Sequence, residues 1–205
     1  MKSESKLIKL GNFVGDMLIL QVLAILYTLR GAIILGIFPS LLSVIKCLSS
    51  KIYNDQPDEM RYEFRKTYKE NFKIANQILW PIFLFLFLLI WEFRLNKEVI
   101  ANTTLGIMLG IIIIFVLIII SHIPITILRF DLSYKQYFKQ ALLIALSSPI
   151  ETISVILSII LIELVFTKWL FLPILFFAPM LALPFAWFTY HSVEKIIKKQ
   201  DDMEE

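Results

Sequence analysis

At 205 residues, 58 % of them hydrophobic and only 18 % charged, the chain is too apolar for an ordinary soluble domain, where about a quarter of residues carry charge. A net charge of +3 calls for no nucleic-acid partner, and the single cysteine, Cys47, excludes an internal disulfide and a multi-cysteine metal site. The charges are bunched. None of Asp, Glu, Lys or Arg falls within residues 99–128 or 169–193, and each run meets the roughly 20 apolar residues that cross a bilayer as a helix.

In chain order, the polar and basic start leads into an apolar run at residues 10–29. No small-residue cleavage pattern follows it, so it reads as a retained first span, with Asn12 and Asp16 near one end. Continued to residue 45 as one helix, the run would reach about 54 Å, too long for a hydrocarbon core of about 30 Å. The chain therefore turns near Arg30 and Gly31. The return, residues 31–48, is broken at Gly36, and Pro39 is expected to open a new helix as its first residue. Irregular backbone at that depth needs protein to cover it.

The connector that follows concentrates Lys46, Lys51, Arg61, Arg65, Lys66, Lys69 and Lys73, seven of the twenty Lys and Arg. Asp55 is a plausible helix start, and residues 57–75 form an amphipathic helix. Its Met60, Phe64, Tyr68, Phe72 and Ala75 recur at helical spacing, with Arg65, Lys66, Lys69, Glu70 and Lys73 on other faces. It is read as a solvated helix running into the third span, residues 74–91, where Pro81 marks a kink. Glu92, Arg94, Lys97 and Glu98 form a polar connector. The fourth span, residues 105–128, carries Gly106 and Gly110 at a spacing that permits close helix approach, a weak signal.

Ser133 and Gln136 have the spacing of a capping box, opening a second amphipathic helix at residues 134–147. Ser148 and Glu151 repeat the signature around Pro149 and open the fifth span, residues 149–166. The sixth, residues 170–192, is interrupted by Pro173, Pro179 and Pro184, and a mixed-charge tail ends the chain. With six spans, sixteen Lys and Arg fall on the side of the termini and four (Arg30, Arg94, Lys97 and Lys168) on the other. A five-span arrangement splits the basic connectors between sides, so the positive-inside rule favours six, with both termini cytoplasmic. The expected fold class is all-α, a polytopic helical membrane protein forming a single transmembrane domain over residues 1–205.

Chemistry is sparse. Glu151 is an ionisable group at a span, which is functional by default, but as the third residue of a helix it reads more simply as a capping carboxylate. His122 and His191 are far apart, and no H-E-x-x-H occurs. Gly31 and Gly36 have the outer spacing of a phosphate loop, but Ile37 stands where its Lys would be. No enzyme, cofactor or metal is expected.

The order Gly36-Ile-Phe-Pro-Ser40, Lys66-Thr-Tyr-Lys-Glu-Asn-Phe-Lys-Ile-Ala75, Pro124 with Phe130-Asp131, Ala141-Leu-Leu-Ile and Ser148-Pro149 resembles the YesL-like family. These are small bacterial integral membrane proteins grouped under a domain of unknown function. Ser40 is a minor departure, since family members usually carry Ala or another small residue there. No catalytic residues are established for the family, so none carry over.

The resemblance implies a place in the bacterial cytoplasmic membrane beside carbohydrate ABC importers. It suggests an accessory, structural or regulatory subunit docking on the importer's permease subunits. The chain lacks the E-A-A type loop by which such permeases engage their ATPase. The residues expected to dock are Phe64, Tyr68 and Phe72 of the aromatic stripe, with Phe38 and Pro39 of the broken return. The alternatives are an independent transporter or channel lined by Asp16, His122 and Glu151, and a membrane sensor or assembly factor. Membrane lipid is the other expected partner.

Overall fold

The computed structural model describes the backbone of residues 4–53 and 60–193. Among these residues there are helices and no strand. The long helices are α1 (Glu4–Arg30), α2 (Ile37–Tyr53), α3 (Met60–Leu95), α4 (Thr103–Arg129), α5 (Tyr134–Ser147), α6 (Pro149–Lys168) and α7 (Phe171–Pro184). A 3₁₀ turn at Ile34–Gly36 precedes α2, and π-helical turns extend α3 over Asn96–Ile100 and α7 over Phe185–Thr189. Among the described residues six helical stretches are long and apolar enough to cross a membrane: Gly11–Arg30, Ile34–Tyr53, Met60–Ile100, Thr103–Arg129, Pro149–Lys168 and Phe171–Val193. The chain is thus a polytopic, all-α, membrane-embedded protein.

The start of α2 differs from the sequence reading. Pro39 lies two residues inside α2, which starts at Ile37; Pro is tolerated throughout the first turn because the N–H it lacks has no intrahelical partner there. The amphipathic helix runs on into the third span as one helix, continuous through Pro81. At 41 residues, Met60–Ile100 is about 62 Å long, twice the hydrocarbon thickness, so its charged first turns stand clear of the apolar layer. Asp55, residues 57–59 and the tail from residue 194 lie outside the described residues.

The chain divides into two compact units. The first comprises Met1–Phe72 and Leu157–Trp187, the second Lys73–Ile156 and Phe188–Glu205. In the first unit α1, α2 and α7 pack on one another around Leu20, Ala24, Leu42, Ile45 and Leu48, all buried. Asp16 of α1 is ion-paired with Lys51 of α2. The Tyr53 hydroxyl donates to the Trp187 carbonyl at 2.7 Å. Phe166 of α6 stacks on Phe177 of α7 with centroids 5.9 Å apart.

The turn between α1 and α2 is a Schellman closure. Ile33 N–H donates to Thr28 O at 2.9 Å and Ala32 N–H to Leu29 O at 3.2 Å, which satisfies carbonyls left over at the helix end. The residue that turns left-handed is Ala32, at φ 55°, with Ile33 following at φ 63°. The two glycines serve close approach. A Cβ on Gly36 would lie 2.4 Å from Thr28 O, and one on Gly31 would lie 2.4 Å from Gly36 Cα.

In the second unit α4 packs on α5, and the connector into α4 is held by two asparagines. Asn96, buried, donates from Nδ2 to Asn102 O at 3.0 Å and accepts from Asn102 N–H at 3.3 Å. Asn102 Oδ1 in turn caps α4 by accepting from Leu105 N–H at 3.1 Å. The guanidinium of Arg129 lies 3.9 Å above the Tyr190 ring.

Candidate functional site

The aromatic stripe on the first turns of α3 is spent inside the first unit. Phe64 is 0 % and Tyr68 6 % exposed, and both rings pack on Tyr27 of α1, at 5.1 and 4.9 Å between centroids. The Tyr68 hydroxyl donates to Tyr27 O at 3.0 Å. It also lies against the Gly31–Gly36 contact, 2.6 Å from where a Gly31 Cβ would stand. Phe72 is half-buried and its ring lies 5.5 Å from that of Tyr68; Phe38 is half-buried and Pro39 buried. The apolar anchors expected to dock a partner are the protein covering the irregular return. Helical spacing marks an apolar face but does not say whether the surface opposite it lies in the same chain. The face of α3 left open carries Arg61, Tyr62, Arg65 and Lys69, with Tyr62 64 % exposed.

A second site in this unit was missed from sequence. Gln21 of α1, 7 % exposed, donates from Nε2 to Ile174 O at 3.3 Å and accepts from Ala178 N–H at 2.9 Å. Residues 174 and 178 are the two ends of one i to i−4 pair of α7, immediately before Pro179. The carboxamide therefore fastens α1 to both polar groups of one α7 step, next to the step at Leu175 that Pro179 interrupts. Within an apolar layer those groups have no water to turn to. A polar residue in the apolar run 17–29 was the available signal; its partners, more than 150 residues away, left none.

The second unit has its own buried polar node. His122 of α4, 0 % exposed, faces Thr152 of α6, with Nε2 and Oγ1 3.0 Å apart. Thr152 Oγ1 also lies 3.0 Å from Ser148 O and 3.3 Å from Ala145 O. The His122 tautomer decides which of the two donates in the His122–Thr152 bond. His122 Nδ1 is buried and without a hydrogen-bond partner among the described residues.

Ser148 ends α5 and precedes α6, and its hydroxyl turns backward to Ile144 O at 2.7 Å; its carbonyl accepts from Thr152 N–H at 3.1 Å. That carbonyl bond is the first of the helix's own ladder, so the side-chain cap expected of Ser148 is not made. Glu151 is half-buried in the first turn of α6. Ser133 and Gln136 form a reciprocal capping box at the start of α5: Ser133 N–H donates to Gln136 Oε1 at 3.0 Å, and the Ser133 hydroxyl to the same oxygen at 2.8 Å.

Of the residues expected to line a path, Asp16 belongs to the first unit, His122 and Glu151 to the second. Asp16 is engaged by Lys51 and His122 by Thr152. Both arrangements fasten one helix to another within its own unit. Glu163, Lys168 and His191 are exposed.

Residues 17–93 match the family model DUF624, described as a protein of unknown function. The matched segment covers most of α1, all of α2 and α3 to its last turn, and so includes the return and the aromatic stripe. No curated protein and no solved structure matches the chain.

Proposed function

We propose that this protein is a non-enzymatic integral membrane subunit, accessory to a carbohydrate ABC importer, that docks on the importer's permease subunits. The observation that supports it is how the polar side chains within the apolar stretches are used. Gln21, Asp16 and His122 each bond to another helix of their own unit, as a scaffold requires, instead of being held ready for a passing solute. The importer context comes from the resemblance to the YesL-like family, with which a match to a family of unknown function is compatible.

Docking then falls to the open face of α3 rather than to its buried stripe. Arg61, Arg65 and Lys69 follow at intervals of four along one side, with Tyr62 beside them. Arg and Tyr are the residue types enriched where interfaces are tight. An acidic segment of a permease is the partner this face fits.

The test is a pull-down from native bacterial membranes in mild detergent, grown on the inducing sugar. A permease should co-purify with the wild-type chain. Tyr62→Ala combined with Arg65→Glu should release it and lower sugar uptake, with the chain still in the membrane. Recovery of no permease with the wild type rejects the proposal in favour of an independent transporter.

A further inference from the structure

The second unit contains an apolar groove of about 410 Å³, lined by Pro81 and Phe85 of α3, Ile112, Phe115 and Ile119 of α4, and Phe138 of α5. Its volume is in the range of small-molecule sites, which span roughly 300–1,000 Å³. Those sites carry a few polar groups to orient the ligand; these lining side chains have none. Such a groove binds hydrocarbon, and orientation must come from its ends.

One end is basic. Along α3, Lys73, Gln77, Pro81 and Phe85 follow at intervals of four and share a side of the helix, all exposed. Lys73 therefore stands about 12 Å above the groove wall at Pro81. On α5, Lys135 and Lys139 are three residues before and one after Phe138, and both are exposed. Residues 129–147 hold Arg129, Lys135 and Lys139 against a single acid, Asp131. On α3 Lys73 has one exposed acid a turn ahead of it, Glu70, and none between it and Glu92. A hydrocarbon body below a cationic collar is the complement of one ligand class.

We infer that the groove is a binding site for an anionic membrane phospholipid, one acyl chain lying between α3 and α4 and the phosphate held by Lys73 and Lys139. A neutral zwitterionic lipid fills the hydrocarbon part equally well but gains less at the collar. Each lysine near an anionic headgroup contributes roughly a factor of five, so the pair gives about 25-fold preference for the anionic lipid.

The experiment uses the full chain in nanodiscs containing phosphatidylglycerol or phosphatidylcholine with a photoactivatable diazirine in the acyl chain. Crosslinks should map to residues 81–85 and 112–119, about 25-fold more with phosphatidylglycerol at equal mole fraction. Lys73→Gln with Lys139→Gln should remove the preference and leave a weak, headgroup-independent reaction. Lys97→Gln, a charge change away from the lining residues, should change nothing. Ile112→Trp fills the groove from an exposed position and should abolish crosslinking of both lipids; Phe85→Trp does the same from α3 should the first variant fold poorly. Equal crosslinking of both lipids by the wild type overturns the inference, as does unchanged crosslinking in both tryptophan variants. So does a co-purifying membrane protein that leaves on groove filling while lipid crosslinking persists, for then a partner helix is the occupant.

Discussion

Gly36→Ala isolates the tightest contact in the first unit. The added methyl would lie 2.4 Å from Thr28 O, 2.6 Å from Thr28 Cα and 2.9 Å from Thr28 C. All three are backbone atoms of the last turn of α1, so no side-chain rotation makes room. The nearest contact is about 1 Å short of ordinary packing, and overpacking of a close-packed site costs about 1–3 kcal/mol. The rigidity of the obstacle places this variant at about 3 kcal/mol. For a chain of this size that lowers the melting temperature by about 6–12 °C.

The only cysteine provides the assay. Cys47 lies buried in α2, the helix that Gly36 introduces, so a maleimide dye that fluoresces on reaction reports opening of this unit during a thermal ramp. Gly11→Ala and Gly15→Ala, where nothing lies within 4 Å of the added Cβ, serve as controls. They should be neutral or raise the midpoint, because Ala exceeds Gly in helix propensity by about 1 kcal/mol. A Gly36→Ala midpoint within a degree or two of wild type would refute the reasoning and mean that α1 and α2 part easily at the turn.

The same dye assay tests three further changes. Gln21→Leu removes both hydrogen bonds that tie α1 to α7 at this level and should cost about 1–3 kcal/mol. Ala32→Gly relieves a left-handed Ala and should stabilise by up to about 1 kcal/mol. Phe64→Ser should unfold the first unit, not merely release a partner, because the ring is wholly buried against Tyr27. Capping is read in the second unit: Ser133→Ala removes a reciprocal box and should cost about 1 kcal/mol by helicity on heating. Ser148→Ala, whose hydroxyl bonds backward, should cost less. For orientation, with Cys47 replaced, Val99→Cys and Lys168→Cys should react with an impermeant reagent outside intact cells, and Tyr134→Cys should not; the reverse pattern rejects the positive-inside assignment.

Much of this fold was legible because membrane helices announce themselves over short distances. A span needs about 20 apolar residues in a row, and the runs at residues 99–128 and 169–193 supply them without reference to anything else in the chain. The Ser133–Gln136 box is local too, with its two members three residues apart. The turn at Arg30 followed from length alone, since one helix through residue 45 cannot fit the bilayer. Its closure did not, because the usual signal is Gly at the left-handed position and here that position is Ala32. The glycines on either side do another job, keeping Gly31, Gly36 and Thr28 in contact.

The exposure of the aromatic stripe was misread because its burial depends on partners distant in sequence. An aromatic stripe at helical spacing reads the same whether it faces solvent, lipid, another protein or Tyr27. The stripe's fate was fixed by packing within the first unit, where Phe64 and Tyr68 close on Tyr27 of α1. Gln21 makes the same point from the other side. Prolines at 173, 179 and 184 remove the ladder donors to residues 169, 175 and 180, and the step that Gln21 joins, from 178 to 174, lies beside one of these. The sequence offers several polar residues of α1 that could reach α7, Asn12, Asp16 and Gln21 among them. Asp16 is taken by Lys51. Only a carboxamide combines a donor and an acceptor on one planar group, the pair needed to serve both ends of an i to i−4 step. Its position 21, in the apolar part of α1 and not at its end, sets it level with that step of α7.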